Sequence, residues 1–172
     1  SNEAYDLLTF RLRSNFAFEN LESLNNFLAS GLRTGDGLPF FKMGGIIING
    51  TEQNNMIYSA HLSGCQVICE NTKICLDALE RVMKKSHKNS RHVIKNFNSS
   101  SFDLMQSLNL GGIFTPSANQ KQEINFLHDA FKNGLTISVG SGGILTAPIK
   151  NISNFVTNGL SVPEAINLYT WA

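Results

Sequence analysis

A glycine-rich stretch is the first part of this sequence that could do chemistry. Residues 135–143 read LTISVGSGG, a short apolar run with the character of a buried strand followed by a flexible turn. Successive backbone amides in such a turn can surround an anion, which makes Gly140, Ser141, Gly142 and Gly143 a weak candidate anion site. The stretch lacks both the lysine of a phosphate-binding P-loop and the third glycine of a dinucleotide-binding turn.

The four histidines and three cysteines do not form a set typical of nucleophilic catalysis or of a zinc site. His61 lies in a helix-like segment, where a buried histidine with satisfied hydrogen bonds is the expected role. No serine lies in the Gly-x-Ser-x-Gly turn of a hydrolase. Cys65 and Cys69 flank an apolar pair, so we expect buried thiols and a reducing compartment.

The bulk composition excludes several classes of partner. The chain has 172 residues, of which 42% are hydrophobic, and we expect one domain over residues 1–172. A net charge of +1 gives no basic excess for binding nucleic acid or anionic membranes. No apolar run approaches the length that spans a bilayer, and the first residues lack the pattern of a signal peptide. These features predict a soluble, cytoplasmic protein.

Short apolar strands alternate with amphipathic helices along the chain. This alternation is typical of an α/β protein with a parallel sheet buried on both faces, which fits a doubly wound sheet or a barrel. We count about six strand-like segments, which favours most of an eight-stranded barrel. The predicted strands are residues 7–14, 45–48, 66–69, 91–95, 112–115 and 135–139, and the predicted helices lie near residues 21–32, 53–62, 72–84, 101–108, 121–132 and after the capping box Ser161–Glu164.

Six segments, in order, resemble the amidohydrolase superfamily of metal-dependent hydrolases, in its N-substituted formamide deformylase-like branch. The resemblance extends over nearly the whole chain, as a portion of a longer family member. The matching segments are residues 32–47 (LRTGDGL to MGGII), 59–70 (SAHLSGCQVICE), 76–80 (LDALE), 91–96 (RHVIKN), 135–148 (LTISVGSG to TAP) and 160–170 (LSVPEAINLYT).

The resemblance implies an incomplete or shortened (β/α)8 barrel of the TIM type, with a metal site at the carboxyl ends of its strands. Family members hold metal with histidine, lysine or glutamate and aspartate side chains, which activate a bound water. The family-equivalent positions here are Ile47, Glu70, Asn96 and Gly142. Isoleucine and glycine offer no side-chain donor, asparagine is a poor ligand, and the paired-histidine strand of the family has no counterpart. Glu70 is the one weak candidate metal ligand.

These substitutions predict a pseudoenzyme, a degenerate amidohydrolase-like protein that acts as a non-catalytic binding or structural component with no cofactor. An incomplete barrel exposes sheet edges, so we expect a homo- or hetero-oligomer in which a partner completes the sheet. The alternative is a metal-dependent hydrolase of non-peptide C–N bonds, with zinc held by Glu70 and by residues of a partner or a further segment. A third, weaker option is anion binding at residues 140–143.

Overall fold

The computed structural model describes residues 12–38, 41–86, 91–115, 120–139 and 148–170. The chain divides into two compact units, residues 1–92 and residues 93–172. In the first unit the elements are β1 (Leu12–Phe18), α1 (Leu21–Leu28), β2 (Gly37–Leu38), β3 (Phe41–Ile48), α2 (Gln53–Leu62), β4 (Val67–Glu70) and α3 (Lys73–Lys85).

The parallel strands β1, β3 and β4 of the first unit lie side by side in chain order, with β2 off this path. β3 pairs in parallel with β1 on one side and with β4 on the other, and the short β2 folds back antiparallel on β3. α1 packs beside α2, and α2 packs beside α3, so the three helices cover one face of this sheet. A parallel sheet wound in one direction carries its helices on one face, as a barrel does.

The core of the first unit lies between this sheet and its helices. Ile46 and Ile48 of β3 pair with Val67 and Cys69 of β4, and all four side chains are buried. On β1 the alternate residues Ser14, Phe16 and Phe18 are half-buried, and the rings of Phe16 and Phe18 lie 5.0 and 5.2 Å from the ring of Phe27 in α1. The buried helix side chains that complete this core are Leu24, Met56, Ile57, Ala60 and Leu79.

The loop before β2 is fastened to the start of β4. The hydroxyl of Thr34 donates to the carbonyl of Gly44 at 2.8 Å and accepts from the amide of Gln66 at 2.7 Å. The side chain of Asp36 accepts from the amide of Arg33 at 2.8 Å and closes the turn. One hydroxyl thereby fixes the distance between the loop, β3 and the residue that precedes β4.

Two of the cysteines are joined. A disulfide connects Cys69 near the end of β4 to Cys75 in the first turn of α3, with Cα atoms 6.5 Å apart. The prediction that Cys69 is a buried thiol is therefore wrong, since proximity in the fold brings it to a cysteine six residues later. Cys65 is a buried thiol as predicted, and burial raises the pKa of that thiol.

The second unit has three parallel strands and four α-helices among its described residues. β5 pairs with β6, and β6 pairs with β7. α5 and α7 contact β7, and α7 also contacts α6. The elements are β5 (Val93–Lys95), a 3-10 turn (Ser99–Ser101), α4 (Phe102–Ser107), β6 (Gly111–Phe114), α5 (Gln120–Lys132), β7 (Thr136–Val139), α6 (Pro148–Thr157) and α7 (Val162–Thr170).

Phenylalanine rings fill the space beside β5 and β6. Phe126 of α5 lies 5.3 Å from Phe97, 5.4 Å from Phe102 and 5.8 Å from Phe114, measured between ring centroids. A side chain at Gly112 would place its Cβ 2.6 Å from the ring of Phe97, so this position accommodates glycine alone without displacement of the ring. An aromatic cluster therefore forms one part of the described core of this unit, beside buried aliphatic side chains such as Ile94 and Leu127.

Most predicted elements occur within a few residues of their expected bounds, and two expectations fail. The first strand was expected to end at Ser14, whereas β1 runs to Phe18; the earlier predicted residues 7–11 lie outside the described residues. Helix α6 was not predicted, although Pro148 is a favoured first helical residue and Ile152, Phe155 and Val156 follow at helical spacing. The α/β class is confirmed, with mostly parallel strands.

Helix α7 begins with the predicted capping box. The carboxylate of Glu164 accepts from the amide of Ser161 at 2.9 Å and from its hydroxyl at 2.6 Å. The amide of Glu164 donates in return to the hydroxyl of Ser161 at 3.4 Å. These bonds from Ser161 lower the pKa of the Glu164 carboxyl. Across the described ranges, none of the helices combines the length and apolar character that crossing a bilayer requires.

Replacement of the capping serine tests this helix start. We expect Ser161→Ala to lower the free energy of unfolding by about 1 kcal/mol, because first-turn amides lose their side-chain acceptor. Ser161→Thr keeps a hydroxyl at the same place and should retain most of the stability. Urea denaturation followed by circular dichroism measures both variants, and an alanine variant as stable as the original protein would contradict the assignment.

Candidate functional site

Among the described residues of the first unit, the predicted site positions Ile47 and Glu70 lie at the carboxyl ends of β3 and β4. Ile47 of β3 pairs with Ile68 of β4, and Ile48 pairs with Cys69. Glu70 is the last residue of β4 and is half-buried, and Asn49 follows β3 with an exposed side chain. The structure therefore brings Ile47 and Glu70 to the same end of one sheet, as the sequence predicted.

The loops at this edge are held by backbone and side-chain hydrogen bonds. The amide of Asn49 donates to the carbonyl of Phe18 at 3.1 Å, and the carboxylate of Glu52 accepts from the amide of Leu21 at 3.3 Å. The hydroxyl of Thr72 lies 3.5 Å from the side-chain oxygen of Gln53. Loops that follow β1, β3 and β4 thus meet along one rim. We call these loop residues, 49–53 and 70–72, the polar rim.

Ile47 supplies the apolar part of this edge. Its half-buried side chain lies on the sheet face opposite Ile46 and Ile48, because neighbouring residues of a strand point to opposite faces. Ile68 is its cross-strand neighbour and is 4% exposed. The helices cover the other face, so Ile47 and Ile68 lie on the face that would be the interior of a barrel.

The remaining predicted site residues are in the second unit. Asn96 directly follows β5, with an exposed side chain and its amide donating to the carbonyl of Ile113 at 3.0 Å. Its φ is +53°, a left-handed conformation that asparagine tolerates better than most residues. Gly140, Ser141, Gly142 and Gly143 lie outside the described residues. The candidate anion nest stays a prediction.

The donor set does not fit a hydrolytic metal ion. Ile47 has no donor atom, an asparagine amide is a poor zinc ligand, and Glu70 alone provides one carboxylate. Within residues 12–38, 41–86, 91–115, 120–139 and 148–170, no group of three or more His, Cys, Asp or Glu side chains could hold a metal ion. No step of a metal-dependent hydrolysis is derived for these residues.

A shallow groove of about 580 Å³ is the other candidate, and it lies on α5. Asn125, His128, Asp129 and Lys132 line it. These residues recur every three or four positions, so the groove is one face of a single helix. His128 is half-buried. The described residues that line the groove all belong to the outer face of this amphipathic helix.

A buried histidine pair is the feature that sequence reasoning missed. Nδ1 of His61 in α2 lies 2.8 Å from Nε2 of His92, and both residues are fully buried. The amide of Val67, the first residue of β4, donates to Nδ1 of His92 at 2.9 Å. The expected structural role of His61 agrees with this burial. Its partner could not be found by spacing, because the two histidines are 31 residues apart.

The hydrogen bond from the Val67 amide determines which ring nitrogen of His92 carries the proton. An amide N–H can only donate, so Nδ1 of His92 carries no proton and Nε2 of His92 is the donor to His61. Protonation of His92 would put a proton on Nδ1 against the amide of Val67, so two donors would face each other at a fully buried position. Burial, and then the charge of the neighbouring His61, lower the pKa of His92 to about 3. The pair lies at the amino end of β4, so it acts in structure and not at the polar rim.

Acid should weaken this structure before the carboxylates titrate. Unfolded histidine has a pKa of about 6.5, so between pH 6.5 and about 3 the unfolded chain binds more protons than the folded one. The free energy of unfolding is therefore highest above pH 6.5. It should fall by up to about 1.4 kcal/mol per pH unit below that.

Chemical denaturation at pH 7.0, 5.5 and 4.5 measures this slope. His92→Asn keeps an acceptor for the Val67 amide but does not titrate, so its stability should change much less over the same range. His128→Asn on α5 is the control and should keep the slope of the original protein. Equal slopes for the original protein and His92→Asn would show that the pair is not held neutral.

Comparison with known proteins gives no relative for this chain. No family model, no curated protein and no solved structure matches it. The resemblance to amidohydrolases therefore stays a prediction that rests on the residues quoted for it.

Proposed function

We propose that this chain is a degenerate amidohydrolase-like barrel segment that binds or supports a partner and does not hydrolyse C–N bonds. The observation that carries the proposal is the pairing of Ile47 with Ile68 beside Glu70, at the end of the sheet where barrel enzymes hold their metal. Apolar side chains at this place favour packing or an uncharged ligand over a metal ion and its activated water.

The winding of the first unit supports the barrel-type architecture. β1, β3 and β4 lie side by side in chain order, and α1, α2 and α3 contact one another in succession. Doubly wound sheets reverse the strand order and place helices on both faces. The first unit has neither feature among its described elements, so the incomplete (β/α)8 reading is the better one of the two that the sequence left open.

The edge strand supports an oligomer. Among the described residues of the first unit, β1 pairs with β3 on one side and lies at the end of the strand order. A backbone edge of this kind is a template for another strand, and a second copy or a different chain could complete the sheet. The balanced charge gives no reason to expect nucleic acid as that partner.

We propose that the protein lies in the cytoplasm. The disulfide limits this proposal to a protein whose disulfide can be reduced there. Stable disulfides are rare in the cytosol, where those that occur are commonly transient and serve redox sensing. A cytoplasmic protein with Cys69 joined to Cys75 therefore exchanges that bond with the thiol pool. Fractionation of source cells, with the chain detected by antibody, tests the location directly.

Metal analysis of the purified protein tests the functional proposal. We expect less than about 0.1 mole of zinc or iron per mole of chain after purification without chelators, because a site with one carboxylate binds these ions weakly. We also expect no hydrolysis of N-formyl or N-acyl amines. Size-exclusion chromatography with light scattering measures whether a second copy associates.

Stoichiometric zinc or iron would favour the alternative, a C–N hydrolase whose further ligands come from a partner or another segment. Glu70→Gln decides whether such metal belongs to the polar rim, because it removes the carboxylate and keeps the shape. Glu80→Gln is the matched control, since Glu80 pairs with Lys84 on the exposed side of α3. Metal lost from the first variant alone, together with lost hydrolysis, would overturn the proposal.

A further inference from the structure

The Cys69–Cys75 disulfide spans the loop that carries Glu70. Cys69 comes one residue before Glu70, and Cys75 lies in the first turn of α3. Both cysteines are fully buried, whereas Thr72 and Lys73 between them are exposed and Ile74 is 54% exposed. The covalent bond therefore lies under a short surface segment at the polar rim.

Hydrogen bonds in this loop depend on the same geometry. The amide of Thr72 donates to the carbonyl of Glu70 at 2.7 Å, which closes a tight turn around Asn71. The hydroxyl of Thr72 accepts from the amide of Cys75 at 3.2 Å and caps α3. Since Cys75 takes part in both the cap and the disulfide, loss of the disulfide also removes a restraint on the cap.

We propose that Cys69 and Cys75 form a reversible redox clasp that sets the order of the β4–α3 loop and hence the position of Glu70. A dithiol reductant attacks one sulfur of the clasp, and its second thiol releases the mixed disulfide. Two electrons and two protons pass to the protein, which gains two thiols, and the reductant leaves as its disulfide. Attack proceeds from a locally opened form, because both sulfurs are buried in the closed one.

Cys65 is the free thiol with which the two cysteines of the clasp are compared. It lies just before the amino end of β4 and is buried, with its sulfur 3.6 Å from the carbonyl oxygen of Leu32. Burial raises the pKa of the Cys65 thiol and lowers its fraction of reactive thiolate. Of the three cysteines, only the pair at the polar rim therefore takes part in exchange.

The clasp rests on the proposed function only for the role that this function gives to Glu70. The test of the clasp uses neither metal nor substrate. The full chain, purified without reductant, is incubated with or without dithiothreitol under native conditions. The dithiothreitol is removed by rapid desalting without oxygen, and the chain is then denatured and alkylated with iodoacetamide for mass spectrometry. We expect one alkylated cysteine without dithiothreitol and all three after it. Removal of dithiothreitol in air should restore the singly alkylated form.

Hydrogen exchange on the same samples measures the loop. Reduction should speed exchange of the amides of residues 71–75 by about tenfold or more, because a restraint on a short loop is released. Amides of β3 serve as the internal control and should not change. Cys75→Ala should show the fast exchange with and without dithiothreitol, and Cys65→Ala should respond as the original protein does.

Three results would overturn the proposal. Alkylation of all cysteines without reductant would mean that the clasp does not form. Resistance to dithiothreitol under native conditions would make it a permanent structural bond. Unchanged hydrogen exchange in residues 71–75 after complete reduction would show that the disulfide does not control the order of the loop. None of these results bears on metal content or hydrolysis, so the clasp and the proposed function fail independently.

Discussion

The first unit depends on a buried pair of imidazoles in which His92 stays uncharged. Nδ1 of His92 accepts a hydrogen bond from the amide of Val67 at the start of β4, and its Nε2–H donates to His61 of α2. These two bonds join a strand, a helix and the segment before β5. Hydrophobic burial around it is extensive, but hydrophobic contacts are non-directional and would not fix where β4 begins. The imidazole pair supplies that direction, because a buried amide without an acceptor would cost on the order of 1–3 kcal/mol.

Local patterns in the sequence predicted most helices and strands. They could not predict contacts between residues that are far apart in the chain. Apolar spacing was enough for α1, and the Ser161–Glu164 pair was enough for the start of α7, since both signals lie within a few turns of helix. The end of β1 at Phe18 depends on its pairing with Ile48, which no local pattern contains. The same holds for the His61–His92 contact and for the disulfide, because the fold and not the spacing brings those side chains together.

For the candidate site, too, the sequence predicted the strand ends but not the contacts made by the loops. The resemblance assigned Ile47 and Glu70 to the carboxyl ends of strands, and the two residues lie at the same end of the sheet because parallel strands all point the same way. It gave no information about the loops around them. The polar rim is built by Thr72, Gln53 and Glu52, whose roles come from turns and caps after the strands.

The hydroxyl of Thr34 has a consequence for the order in which the first unit assembles. Its acceptor, the carbonyl of Gly44, is 10 residues away in the chain, whereas its donor, the amide of Gln66, is 32 residues away. Closing the shorter loop costs less entropy, and during synthesis Gly44 emerges long before Gln66. The loop and β3 can therefore form first, with one lone pair of the Thr34 oxygen left for the incoming chain. When β4 arrives, that oxygen favours one alignment over a neighbouring one, in which every side chain of the strand would face the wrong side.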